Sequence, residues 1–246
     1  MIKNSVFDYL TIYKNFPTYQ LERRLDAFML PYIADSIKDK FNPIEKDLIM
    51  LYPEFPLKRD IVSIELDKHS EYADYLLYSK KSNTVYLVEF KTDVKSIHES
   101  QFKSYLDNSI SGWESMINYY IDKSINNSKF WKKFVYGLIH IEMKAPNLLG
   151  INENLNLDKY LIDSKGIHER LKDIRSKIKI DKNLKVKFLY LAPIGAESLL
   201  KKYKTDNLGS IEHYIGHITL SEFAKNVTTE LADLLILIDK DSLKKQ

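Results

Sequence analysis

Cysteine is absent from the 246 residues. Its absence excludes a disulfide scaffold, a thiol nucleophile and every cysteine-ligated zinc or iron–sulfur centre. It fits a reducing compartment, and a cytoplasmic protein is the expectation. Glycine and proline number 7 each, too few for a collagen-like or linker-rich chain. No apolar run reaches the ~18 residues of a membrane-spanning helix. The segment MIKNSVFDYL lacks the basic stretch and apolar core of a secretory signal, so neither a membrane span nor export is expected. Neither Gly-x-x-x-x-Gly-Lys nor Gly-x-Gly-x-x-Gly occurs, which removes NTPase and dinucleotide-cofactor readings. The six histidines show no zinc-ligand spacing, and His140, in an apolar run, reads as a core residue. A formal net charge of +3 is too small to announce nucleic-acid binding by itself.

Hydrophobic residues make up 44% and charged residues 29%, a balance that supports a packed core and argues against disorder. Helices and strands alternate along the chain. Leu21, Leu25, Phe28, Met29, Tyr32 and Ile33 recur at helical spacing and predict a helix over about 18–40, where Pro31 either kinks it or opens a second helix. Pro53 and Pro56 forbid a regular helix in LYPEFPLKR. Extended runs follow at Ile61–Leu66, Ala73–Tyr78 and Thr84–Thr92, the last two joined as a β-hairpin by the polar turn Ser79–Asn83. Ser96 and Glu99 have capping-box spacing and open a helix to about Tyr120, weakest between Ser109 and Gly112. Phe134–Ile141 and Val186–Leu191 read as strands, and Tyr214–Leu220 as the last one. Helices are expected at Ile167–Ile178, Glu197–Tyr203 and Ser221–Ile238. The pattern is mixed α/β. Residues 1–195 form the expected core, and 196–246 a helix–strand–helix extension packed on it within one structural domain.

Chemistry concentrates in the hairpin. Side chains alternate faces along a strand, so Glu89 and Lys91 share one face of a segment otherwise made of Val, Tyr, Leu and Phe. With Lys81 and Ser82 at the centre of the turn, Lys80 faces Asn83 and Asp74 faces Glu89. Directly opposed residues have Cβ atoms roughly 4.5–5.5 Å apart. Two carboxylates that close repel unless one is protonated or a cation lies between them. Oxygen ligands of this kind suit a hard divalent ion such as Mg²⁺.

Asp74, then a hairpin, then Glu89-Phe90-Lys91 resembles the signature of the PD-(D/E)XK nuclease superfamily, with Ala73 standing where that family has proline. Gln101-Phe-Lys-Ser-Tyr105 looks like the Gln-x-x-x-Tyr motif of its RecB-like exonuclease branch, and Gln101 and Tyr105, four apart, share a helix face. Glu22 resembles the glutamate such families carry on the helix before the core sheet. The resemblance covers about residues 18–141, and the C-terminal third matches nothing recognised.

The resemblance implies a restriction-endonuclease-like fold, a central mixed β-sheet flanked by helices, and a Mg²⁺- or Mn²⁺-dependent nuclease acting on DNA in bacterial repair, restriction or defence. The alternative is a non-catalytic nucleic-acid- or partner-binding protein on that fold. Asp74, Glu89 and the backbone carbonyl of Phe90 would hold the metal. Lys91 would orient water or stabilise charge on the phosphate. Glu22 would bind the metal through water or serve a second ion, or else lie on a solvated helix face. Gln101 and Tyr105 would position DNA or buttress the site. Independently, 165–187 holds nine basic and three acidic residues. Arg170, Lys172, Arg175 and Lys177 in it are candidate phosphate contacts or a solvated amphipathic helix.

Overall fold

The strand that carries Glu89 is buried at every position: Thr84–Phe90, β3, has no half-exposed residue. A strand buried on both faces needs a neighbour along each edge and a layer on each side. The computed structural model supplies both, over residues 10, 21–41, 47–58, 72–126, 131–150, 172–173, 175–207 and 210–244. Among these, five strands form one mixed sheet in the order β1-β2-β3-β4-β5. β1 (Ile49–Pro56), β2 (Tyr72–Ser79) and β3 make an antiparallel meander. β4 (Lys185–Ala192) and β5 (Tyr214–Thr219) continue it in parallel.

The pleat divides β3 between two cores. Val85 and Leu87 pack toward α3 (Glu99–Asn126), with Phe102, Tyr105, Trp113 and Tyr120. Tyr86, Val88 and Phe90 pack toward α1 (Leu21–Met29) and α2 (Ile33–Phe41). The C-terminal helix Thr229–Leu243 joins this second core through Leu231, Leu234, Leu235 and Ile238. No helix of the described residues is long and apolar enough to cross a membrane.

Several expectations need correction. Phe134–Ile141 is not a strand; it lies inside α4 (Trp131–Lys144). A short apolar run fits a buried strand and a buried helix equally, and periodicity cannot separate them. His140 is accordingly exposed, edge-on to Tyr52 with ring centroids 6.5 Å apart, rather than a core residue. Conversely, the proline-rich stretch is β1. Proline is tolerated there because β1 is an edge strand, where a missing N–H costs no ladder bond. The edge is also irregular, with a register shift between Met50 and Tyr52 and a positive φ of 51° at Glu54.

The predicted capping box at Ser96 does not form. Val94–Ser96 is a 3-10 turn capped by Asp93, whose carboxylate accepts from Lys95 N at 3.1 Å, and the Ser96 hydroxyl is spent on Asp93 O. α3 starts three residues later, at Glu99. It breaks at Gly112, where φ is 80°. Pro31 lies in a 3-10 turn, Leu30–Tyr32, that separates α1 from α2. The expected helix 221–238 is two pieces. A capping box between Thr219 and Glu222 starts a single turn at Leu220–Phe223, and the long helix begins only at Thr229. The predicted strand 61–66 lies outside the described residues, as does the predicted helix 167–178 apart from helical positions 172–173 and 175–177 and Ile178, which is not helical.

One buried acid ties the C-terminal elements together. Asp239 accepts from Ile194 N at 2.5 Å and from Ser221 N at 2.8 Å, so one carboxylate satisfies the starts of two helical turns. Asp239→Ala leaves both N–H groups without their acceptor. It is expected to cost about 2–4 kcal/mol, read as a lower urea midpoint at unchanged slope. A midpoint equal to that of the parent protein would refute this role.

Candidate active site

The hairpin has the register deduced from its turn: Tyr75 pairs with Val88 and Ser79 with Thr84. Carried one residue further, it sets Asp74 across from Glu89. The β2–β3 ladder ends at Tyr75, whereas β2 stays paired with β1 as far as Tyr72. The strands therefore part at the C-terminal end of β3, and Asp74 fills the gap. Its Oδ2 accepts from Phe90 N at 2.7 Å, a hydrogen bond that a backbone carbonyl would otherwise supply.

Glu89 is 1% exposed. Its donors come from β3's own end and from α3. Lys91, two residues on and on the same face, places Nζ 2.5 Å from Oε1. Gln101 Nε2, on the first turn of α3, donates to the same oxygen at 2.5 Å. The Tyr105 hydroxyl, one turn later, donates to Oε2. Glu22 arrives from the opposite layer: Lys91 lies just past the end of β3 and reaches round the sheet to Glu22 Oε1, 3.1 Å away. The site is thus assembled from the sheet end and from helices on both of its faces.

Electrostatics follow from this crowding. Burial, then the charge of Glu89, pushes the Asp74 carboxyl well above its ordinary value. Burial also raises Glu89, although Lys91 and the Tyr105 hydroxyl oppose it. Burial lowers the Lys91 pKa, but Glu89, Glu22 and Asp74 outweigh that, and it is raised. Lys91 is therefore held as a cation.

Among the described residues, no three His, Cys, Asp or Glu side chains are grouped closely enough to form a ready metal cage. The carboxylates are arranged around the Lys91 ammonium instead. The donor set nonetheless fits a hard divalent cation, because every acidic ligand atom is oxygen. Three carboxylates against one ammonium leave a formal charge of −2 when all are ionised, the charge such an ion neutralises.

The basic segment is placed differently. Arg170 lies outside the described residues, and Lys172 is exposed. Arg175 is paired with Asp122 of α3, and Lys177 with Asp173 at 3.0 Å. Lys185 pairs with Thr84 at the opposite end of β3 from Glu89, roughly 17 Å away along the strand. One neighbour of the site carried no sequence signal. Tyr190 on β4 is directly in register with Glu89. Its hydroxyl is buried without a hydrogen-bond partner among the described residues, and burial followed by the charge of Glu89 raises its pKa strongly. Only the parallel pairing of strands a hundred residues apart brings it there, so no local pattern could reveal it.

No family model, curated protein or solved structure matches the chain.

The raised carboxyls predict a pH dependence. Asp74 has an ordinary pKa of 3.8 and a higher one in the fold, so the folded state binds its proton more tightly. Ionisation of Asp74 then destabilises the metal-free protein progressively as pH rises above that value. Asp74→Asn keeps an acceptor for Phe90 N and carries no charge. Its melting temperature relative to the parent should rise between pH 4 and pH 8 without divalent ions. A difference that stays flat or falls over that range would show that Asp74 is not under this strain.

Proposed function

We propose that this protein is a Mg²⁺- or Mn²⁺-dependent nuclease that hydrolyses phosphodiester bonds of DNA on a restriction-endonuclease-like fold. The observation that carries the reading is the convergence on Glu89: a buried carboxylate gripped by Lys91, Gln101 and Tyr105, across a strand gap from Asp74. A solvated cross-strand salt bridge would not explain two further donors from α3, nor a second acid beside it. The mixed sheet flanked by helices is compatible with the fold that the Asp74…Glu89-Phe90-Lys91 resemblance implies. A role in bacterial DNA repair, restriction or defence rests on that resemblance alone.

In this reading Asp74, Glu89 and the Phe90 carbonyl hold the cation, with Glu22 as a further oxygen ligand. When bound, the ion polarises a phosphate oxygen and acidifies water. The remaining roles belong to side chains. Lys91, held cationic, donates toward the phosphate and balances the negative charge that grows on it. Gln101 and Tyr105 satisfy one oxygen each of Glu89, fixing its rotamer so that it need not reorganise when a ligand arrives. They are positioning residues.

The competing reading is a protein of the same fold that grips nucleic acid or a partner without cleaving. One observation favours it: Lys91 already bridges Glu89 and Glu22, which partly neutralises the acids without a metal. Metal affinity and cleavage, measured on the same four proteins, decide between them. Asp74→Ala and Glu89→Ala should abolish both. Lys91→Ala should retain metal binding and lose about 10²–10³ in rate, the usual effect of removing one transition-state donor. Cleavage that survives Glu89→Ala places the activity elsewhere. Nucleic-acid binding with no metal-dependent cleavage establishes the non-catalytic reading.

A further inference from the structure

A second polar site lies on the outer side of α3. Where Gly112 breaks that helix, a groove of about 430 Å³ opens against the end of β1. That volume falls in the ~300–1,000 Å³ range of small-molecule sites.

At one end stands Lys58. The buried amide of Asn108 clamps its main chain on both sides, accepting from Lys58 N at 2.7 Å and donating to Lys58 O at 2.9 Å. The backbone is thus held while the side chain is left to the groove. The ammonium lies 3.4 Å from Ser115 Oγ and pairs with no carboxylate among the described residues. Glu114, Asn118 and Tyr119 also line the groove. Asp122 closes the far end and is already neutralised by Arg175 of the basic segment.

These groups differ in kind along the groove. Lys58 and Ser115 offer a cation and a hydroxyl, the partners of a phosphate. Glu114 and Asn118 offer an acceptor and a donor–acceptor amide, the partners of a base edge, and Tyr119 offers an aromatic ring. Free phosphate would use Lys58 and Ser115 and leave Glu114, Asn118 and Tyr119 unused. A purely cationic ligand would meet Lys58. A nucleotide carries an anion at one end and a neutral hydrogen-bonding ring at the other, and matches both. Ser111 lies six residues beyond Tyr105, roughly 9 Å along α3, and Ser115 follows just past the break at Gly112.

We infer that this groove is a nucleotide subsite for the nucleic-acid strand, with phosphate bound at Lys58 and its base read by Glu114 and Asn118. The inference rests on the nuclease reading of the Glu89 site and adds a base preference to it.

The test is equilibrium binding of labelled dA, dC, dG and dT oligonucleotides to the full chain in EDTA, where metal-dependent cleavage is off, at several salt concentrations. Lys58→Ala should weaken all four alike and lower the slope of log affinity against log salt by about one, and Lys58→Arg should restore it. Glu114→Gln and Asn118→Ala should keep the salt slope and change the ranking of the four bases by about fivefold or more at one of them. Suppose the parent protein binds and, with Mg²⁺, cleaves DNA, yet Lys58→Ala leaves slope and affinity unchanged or the base ranking ignores both other variants. The subsite is then refuted while the nuclease reading stands. A parent protein that binds none of the four oligonucleotides in EDTA or in Mg²⁺ overturns both.

Discussion

Burying the Glu89 carboxylate in a central strand removes it from water at a cost of several kcal/mol unless partners replace the lost hydration. The partners are specific: an ammonium and an amide on Oε1, a phenol on Oε2. Each belongs to an element whose position is otherwise set by apolar packing. Gln101 and Tyr105 can reach Glu89 only because Phe102, Leu106 and Trp113 seat α3 on the sheet. Lys91 can reach both Glu89 and Glu22 only because it lies past the last residue of β3. Removing one partner leaves a buried charge short of a donor, which is why so much of the surrounding arrangement depends on this one group.

The location follows from strand geometry. β3 has one antiparallel and one parallel neighbour, and at its C-terminal end the antiparallel neighbour diverges. Divergence exposes backbone groups that a continuous ladder would occupy. Asp74 satisfies one of them and thereby comes to stand near Glu89. A row of polar residues continues across the sheet at the same level. Glu89 is in register with Tyr190, and Tyr190 with His217, whose Nε2 donates to Ala192 O at 2.8 Å. Burial lowers the His217 pKa, which favours the neutral ring that this hydrogen bond holds. Among the described residues the buried Tyr190 hydroxyl has no hydrogen-bond partner, and a buried donor left so costs about 1–3 kcal/mol.

Stability and chemistry pull against each other at this sheet end. The two cores on either face of the sheet stabilise the fold through ordinary side-chain burial. Between them lies a cluster whose carboxyls are pushed up by burial and mutual repulsion. Such a cluster is stabilised by whatever positive charge it binds. The basic segment adds little nearby: Arg175 and Lys177 are engaged by Asp122 and Asp173, and Lys185 lies at the opposite end of β3 from Glu89.

Much of the site was legible in residue order because its geometry is local. A short polar turn sets hairpin register, register sets which side chains face each other, and period 2 puts Lys91 beside Glu89. Gln101 and Tyr105 are adjacent by helical spacing, and a helix following β3 naturally packs over it. Elements defined by their surroundings were not legible. β1 contains two prolines and is a strand because it lies at an edge. The run 134–141 is apolar in either conformation and is a helix because it packs against α3 and β1. The placing of Tyr190 beside Glu89, the bridging of Lys91 to Glu22 and the groove between Lys58 and Tyr119 join residues distant in the chain. Sequence by itself determined the hairpin register and the identity of the acids, because both depend on contacts a few residues apart. Tertiary structure alone decided which distant groups compensate those acids, because only packing of the two helical layers onto the sheet brings them within hydrogen-bonding distance.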